Sequence, residues 1–337
     1  MKKKTLLMIG LFFVMSLFSF TSDLHFKGMI QTWFSVAEQP HGESSDYGFT
    51  FRRVRFKPYG SFSKNIRWLL QVGWDRNSAL LLDAYIDFTI SKAFRIRIGQ
   101  FPAPGSISGT LSSSGKLDFL ERALVTQKWG GFNKFTGYRA LGIQFHGDLL
   151  GEKLYYAVMA ANQDTAEPFI PRLKSSEYEN KSNGARLWAR LEAGPVPGLR
   201  IGTFFGTTKE TGTLLRKSSY GAHLFFVKKG LNFKIEYIAG SDSLQGINNK
   251  YNGMYAVLGY KLKKVEPICR YGYYTPDDYQ SLKEGVEKFI DITIGINYFF
   301  KANIKFQANY VFRDEEMAAG LPELQNNLFY CCLQYTF

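Results

Sequence analysis

The chain has 337 residues, 16% of them aromatic with 30 Phe and 20 Tyr, and a formal net charge of +13. Its mean hydropathy is only −0.18, which excludes a bundle of apolar helical spans, while the ring content exceeds what a soluble core needs. Many aromatics with average polarity suit a wall that is apolar outside and wet inside.

In chain order the first element is an export signal. Lys2, Lys3 and Lys4 precede an apolar run from Thr5 to Phe20, and small residues Ser19, Thr21 and Ser22 close it. This predicts a signal peptide over residues 1–22 and a mature domain over 23–337. The run is short for a membrane anchor, and no cluster of stop-transfer charge follows. Without its three lysines the 42 basic residues fall to 39 against 29 acidic ones, a formal +10. Export argues against nucleic acid as the partner of that excess and leaves an acidic membrane surface or an anionic solute.

From residue 24 the period is two almost everywhere. Ile66, Trp68, Leu70, Val72 and Trp74 alternate with Arg67, Leu69, Gln71, Gly73 and Asp75. Leu80, Leu82, Ala84, Ile86 and Phe88 then alternate with Asp83, Tyr85 and Asp87, placing the apolar set toward lipid. Such alternation marks strands. The spacing predicts sixteen of them, near 24–36, 47–62, 66–75, 80–90, 93–101, 139–147, 153–163, 184–194, 198–207, 218–228, 230–240, 251–262, 264–274, 288–300, 302–313 and 326–337. Each is near the length a tilted strand needs to cross a bilayer.

Connections alternate between short turns and longer loops, as in a bacterial barrel, except near Arg76–Ala79, where a long loop is due and a short one stands. With an even strand count both ends lie on the periplasmic side. The fold expected is an all-β, antiparallel transmembrane barrel of about 16 strands in the bacterial outer membrane. A soluble β-sandwich is the competing reading, with shorter and less aromatic strands. Against it, Phe329, Cys331, Leu333, Tyr335 and Phe337 alternate to the chain end. This resembles the signal through which the barrel-assembly machinery recognises its clients.

Charge on a lipid-facing strand position costs roughly 2–4 kcal/mol for Lys or Arg near the midplane. Arg53, Arg55, Lys57, Arg95, Arg97, Arg186 and Arg190 are therefore assigned to the lumen, while Arg52, of opposite parity, is assigned to the membrane edge. A three-residue turn at Ser63-Lys64-Asn65 would pair Phe62 with Ile66, Arg53 with Asp75 and Arg55 with Gly73; a similar next turn would set Asp87 opposite Arg95 or Arg97. Two readings of the basic row stand. It draws anions into a narrow passage, or it braces the wall through ion pairs with Asp75, Asp83, Asp87, Glu192, Glu236 and Asp291.

The 102–138 connection is too long for a plain hairpin. Leu117–Leu124 could form a helical turn or two. Folded into the lumen, the loop would set the narrowest radius and bring Lys116, Arg122, Lys128 and Lys134 to the solute; the other reading is an exposed surface loop. Cys269, Cys331 and Cys332 read as apolar fillers, since neighbours on a strand face opposite ways. His146 and His223 point inward on distant strands, with no obvious serine or acid beside either, so a barrel protease or phospholipase is disfavoured and no enzyme is expected. No metal-ligand spacing or cofactor motif stands out.

Phe51-Arg52-Arg53-Val54-Arg55-Phe56, Asp83-Ala84-Tyr85-Ile86, Ile98-Gly99-Gln100-Phe101 and Leu117-Asp118-Phe119-Leu120-Glu121-Arg122 resemble the phosphate-selective porins O and P. Ile294-Gly295-Ile296-Asn297-Tyr298 and Lys305-Phe306-Gln307-Ala308-Asn309-Tyr310 look like that family's penultimate hairpin. The resemblance implies a homotrimer of sixteen-stranded barrels in outer-membrane lipid, each with an in-folded third loop and an anion path lined by lysine and arginine. The function expected is passive diffusion of small anions such as phosphate. Alternatives are a general porin for sugars and small nutrients, a barrel enzyme, and an adhesin with a blocked lumen.

Overall fold

The computed structural model describes residues 23–38, 46–75, 78–127, 139–162, 184–210, 216–244, 247–276, 285–318 and 326–337. The proposed signal peptide, Lys128, Lys134 and most of the longer connections lie outside these residues.

Among the described residues there are sixteen strands. The first eight are β1 (Asp23–Ala37), β2 (Asp46–Ser63), β3 (Ile66–Asp75), β4 (Ser78–Thr89), β5 (Arg95–Pro102), β6 (Arg139–Leu149), β7 (Leu154–Asn162) and β8 (Gly184–Ala193). The rest are β9 (Leu199–Glu210), β10 (Arg216–Lys228), β11 (Leu231–Leu244), β12 (Ile247–Tyr260), β13 (Val265–Thr275), β14 (Val286–Lys301), β15 (Ile304–Met317) and β16 (Leu328–Thr336). Every neighbour in sequence is an antiparallel neighbour in space, and β1 pairs with β16 from Met29↔Thr336 to Ala37↔Leu328. Closure leaves no sheet edge, so the strands' backbone donors and acceptors find partners without water.

Alternation places one set of side chains outside and the other inside. On β7, Ala157 and Met159 are fully buried while Val158 between them is half exposed; on β8, Trp188 is buried and Leu187 and Leu191 are exposed. The exposed set is apolar, with Phe205, Tyr237, Ile292, Ile294, Phe312 and Leu333 on it. That pattern fits hydrocarbon outside.

Two irregularities change which residues face in. Between β1 and β2 the register runs Gln31↔Arg53 and then Thr32↔Phe51, so Arg52 is an extra, bulged residue. The bulge lets Phe49 and Phe51 share the outer face with Val54 and Phe56, and turns Arg52 inward beside Arg53. Arg52 is thus no membrane-edge residue. Between β3 and β4 the register passes from Gln71↔Asp83 to Val72↔Leu81, so Leu82 is the extra residue. Above it, parity inverts, and Leu80 pairs with inward-facing Gly73. Leu80 and Leu82 therefore border the lumen and not the lipid.

The hairpin turns differ in detail from the sequence expectation. Ser63 pairs with Ile66 and the register slips after Ser61, so the turn is Lys64-Asn65 with Phe62 bulged; from Ser61↔Arg67 upward, Arg55↔Gly73 stands as expected. The β4–β5 connection spans Ile90–Phe94, longer than three residues, yet Asp87 pairs with Arg97. Asp75 pairs with Ser78 at the short β3–β4 hairpin.

Candidate functional site

β5 ends at Pro102, and Pro104 just beyond it prevents continuation as a central strand. The chain then crosses the lumen. A π-helical turn (Ile107–Leu111) and a 3-10 turn (Ser114–Lys116) follow, and a short helical turn covers 124–127. Between the latter two, residues 117–123 are a run of bends and irregular chain, not helical as the sequence suggested. The reason is the partner set of their backbone groups.

Wall side chains take the hydrogen bonds that a helix would make internally. Lys305 donates to the Leu117 carbonyl (3.2 Å), and Asn297 and Gln307 both donate to the Asp118 carbonyl (3.0 Å each). The Leu120 N–H donates to Asn309 (2.9 Å), and Arg270 donates to the Glu121 carbonyl (2.9 Å). The Asp118 carboxylate accepts from Lys234 (2.7 Å to each oxygen) and Asn232 (2.9 Å). At the π-helical turn the orphan N–H groups of Ile107 and Ser108 donate to Glu236 (2.7 and 3.1 Å), which also accepts from Tyr255 (2.8 Å). An anion at a helical N-terminus is where the orphan donors want it. Apolar packing adds to this clamp: Phe119, Ala123, Leu124 and Val125 join a buried cluster with Trp188, Phe204, Tyr255 and Tyr274 of the wall.

The segment thus fills the lumen on the β8–β15 side and leaves a cavity of about 800 Å³ against the other side. Eight basic residues line it, against three acidic ones, Asp75, Asp83 and Glu121. Arg53 (5% exposed) donates to Gln31 (3.1 Å) and to Glu121 (3.2 Å), and Arg52 donates to the same Glu121 carboxylate (2.9 and 2.7 Å). Both guanidinium groups lie over the Trp33 ring. Arg55 forms a two-pronged pair with Asp75, Arg97 one with Asp87 (3.2 and 2.6 Å), and Arg139 reaches Asp83 at 2.5 Å. Arg190 holds Glu192 and donates to the Gly105 carbonyl (2.8 Å).

Two of the lining bases hold no carboxylate. Lys57 has no hydrogen-bond or ion-pair partner among the described residues. Arg122, on the in-folded segment, donates only to carbonyls, those of Ser108 and Ser112 (2.9 Å to the latter). Burial, with like charge from Arg53 next, pulls its guanidinium down to about 10, so it remains charged at neutral pH.

Of the residues singled out in the sequence, Arg53, Arg55, Lys57, Arg97, Arg122 and Arg190 meet at this cavity. Lys116 lies on the other side of the segment, at a smaller crevice. Arg95 sits at the turn end of the barrel, paired with Asp148, and Arg186 is buried on β8 away from the cavity. The braces expected from Asp75, Asp83, Asp87, Glu192 and Asp291 are present, the last with Arg270 (3.1 Å). Glu236 serves the segment instead. His146 and His223 do have acid partners, Asp87 (3.2 Å) and Glu192 (3.1 Å), supplied by strands that sequence order alone could not bring together.

Sequence reasoning missed Arg52, Arg139 and the clamp side chains. For Arg52 a signal existed: the exposed aromatics occupy odd positions at 47–51 and the apolar positions are even at 54–56, a phase jump that requires one extra residue between. For the clamp there was none, because a polar lumen residue looks the same whether it meets water or a backbone.

The sequence profile of the family described as phosphate-selective porin O and P matches residues 25–198. An uncharacterized protein of Aquifex aeolicus (strain VF5) is 26% identical over 268 residues, covering 69% of this chain, which spans 63% of that relative's length. Among solved structures, the anion-selective porin from Comamonas acidovorans superposes with a TM-score of 0.69 at 12% identity, over 94% of this chain and 99% of that one. OmpF of Salmonella typhi, in complex with daunomycin, gives 0.68 at 12% over 93% and 97%, and the trimer form of OmpT of Vibrio cholerae gives 0.66 at 10% over 94% and 99%. At such identities these likenesses speak to the fold.

Proposed function

Because the chain belongs to the family of phosphate-selective porins O and P, we propose that it is a diffusion channel whose lumen prefers small anions, phosphate among them, to cations and neutral solutes. Family and fold support an outer-membrane porin channel. The preference rests on one observation: the cavity has eight basic lining residues to three acidic ones, and Lys57 and Arg122 carry charge that no carboxylate holds. In a narrow passage with low-dielectric walls such charge concentrates counter-ions.

On this reading Arg53, Arg55, Arg97 and Arg190 set the shape and field of the passage through their pairs, while Lys57 and Arg122 are the solute-facing charges. Arg95, Lys116 and Arg186 tune the field from further off. The mature chain, residues 23–337, follows cleavage of the export signal and works as a homotrimer in outer-membrane lipid, delivered by the barrel-assembly machinery through Phe337. A general porin is the second reading, favoured by the fact that six of the eight lining bases already hold carboxylates. Reversal potentials of the purified protein in a planar bilayer, under a potassium chloride gradient and then with phosphate, decide between them. Chloride should permeate in excess of potassium, and phosphate should interrupt the chloride current. A cation-selective channel ends the proposal.

A further inference from the structure

The cavity wall carries an apolar surface where a path for a bare inorganic anion needs none. Leu80, half-buried, borders it from β4, turned inward by the bulge at Leu82, itself buried, and Leu111 of the π-helical turn, 42% exposed, borders it from the in-folded segment. The bulge is held in place: Gln100 donates to the Leu81 and Leu82 carbonyls (2.8 and 2.9 Å), which the interrupted ladder leaves without strand partners.

Position makes the patch informative. Leu80 pairs with Gly73, and the Arg55 guanidinium lies directly over Gly73, where a methyl group would sit 2.4 Å from its nitrogen. Leu82 precedes Asp83, whose carboxylate holds Arg139. The leucines therefore stand between two basic columns, one on β2 and one at the start of β6. Apolar surface facing a watery passage is a site with unrealised burial; it is stabilised only when something apolar covers it.

We infer that the cavity takes organic anions with an apolar body, aromatic or branched-chain carboxylates, more strongly than compact anions of the same charge. The carboxylate lies in the field of Lys57 and Arg122 while the hydrocarbon part covers Leu80 and Leu111. This rests on the anion preference proposed above and adds the chemical class of the solute.

The test is block of the chloride current through the full, bilayer-reconstituted protein by benzoate and by acetate, each as its sodium salt. Benzoate should halve the current at about tenfold lower concentration than acetate, the ratio that covering some 50 Å² of apolar ring produces. In Leu80→Gln and Leu111→Gln the ratio should fall to about threefold or less, with barrel folding checked by circular dichroism and heat-modifiable migration. Both positions border open space, so a polar side chain of similar size is accommodated. Equal block by the two anions in the unmodified protein overturns the inference. So does an undiminished ratio in both variants, which would mean that benzoate acts from the bilayer. Reversal potentials in the same traces report the anion preference itself, so its failure is seen separately.

Discussion

Two arcs of the same wall use the same residue types for different ends. In the β2–β6 arc, Arg55, Arg97 and Arg139 meet carboxylates from strands one or two places away and border open space. In the β11–β15 arc, Lys234, Arg270 and Lys305 are equally inward, yet the in-folded segment takes them through Asp118, the Glu121 carbonyl and the Leu117 carbonyl. Strand parity cannot separate the arcs. What a lumen charge does depends on whether a backbone covers it, so a count of inward bases overstates the charge a solute meets.

The largest effect should come from breaking the clamp. Asp118→Ala leaves Lys234 and Asn232 facing a void, and both members of the pair are only about one-fifth exposed. Removing one partner of a pair this sheltered costs about 2–3 kcal/mol. The segment loosens at 117–121, and single-channel conductance should rise by about twofold as the constriction widens. Asp75→Ala, in the other arc, removes a carboxylate of comparable shelter but frees only Arg55. Conductance there should stay near that of the unmodified protein while anion preference increases. Equal conductance changes in the two variants would mean that the arcs do not differ as described.

A smaller effect separates two lysines. Lys57→Met and Lys305→Met remove the same charge from a wall of the same barrel. A unit charge about 8 Å from a permeating ion in water is worth about 0.5 kcal/mol, or about twofold in the permeability ratio. Lys57→Met should lower chloride over potassium permeability by that factor. Lys305→Met should leave the ratio unchanged and instead cost about 1 kcal/mol of thermal stability, through the unbonded Leu117 carbonyl. Reversal potentials and melting curves on the two proteins read both quantities.

These arcs also mark how far the sequence could be read. Alternating side chains place all sixteen strands within a few residues of their observed limits, because lipid outside and water inside write a period of two into every crossing. Arg53, Arg55 and Arg97 were legible from parity alone. The bulge at Arg52 left only the phase jump between its flanking aromatics, and the one at Leu82 left no mark, although one extra residue inverts everything beyond it. Three leucines in a row, Leu80–Leu82, give no phase from which the inversion could be noticed. The clamp was illegible for another reason. Asn297, Gln307 and Asn309 answer to backbone groups about 180 residues away in sequence, and no local pattern encodes a partner at that distance.

The smallest predicted effect comes from one methyl group placed in each arc. Gly73 lies beneath Arg55, and Gly295 lies beneath Asn309, with an added Cβ 2.4 Å from the Arg55 Nη1 and 2.3 Å from the Asn309 Nδ2. Both obstacles are the ends of flexible side chains, so neither Gly73→Ala nor Gly295→Ala should stop the barrel from closing, and each gains some strand propensity over glycine. The displaced groups differ, however. Arg55 moved off Asp75 swings into open cavity and finds water. Asn309 moved off the Leu120 N–H leaves a buried donor without a partner, at a cost of about 1–2 kcal/mol. Gly73→Ala should therefore shift the permeability ratio by less than about twofold, one charge re-aimed rather than removed, and leave melting unchanged. Gly295→Ala should lower the melting temperature and add open-channel noise as the segment near Leu120 loosens, with selectivity intact. The reverse assignment of effects would place the solute path on the β14–β15 side of the segment.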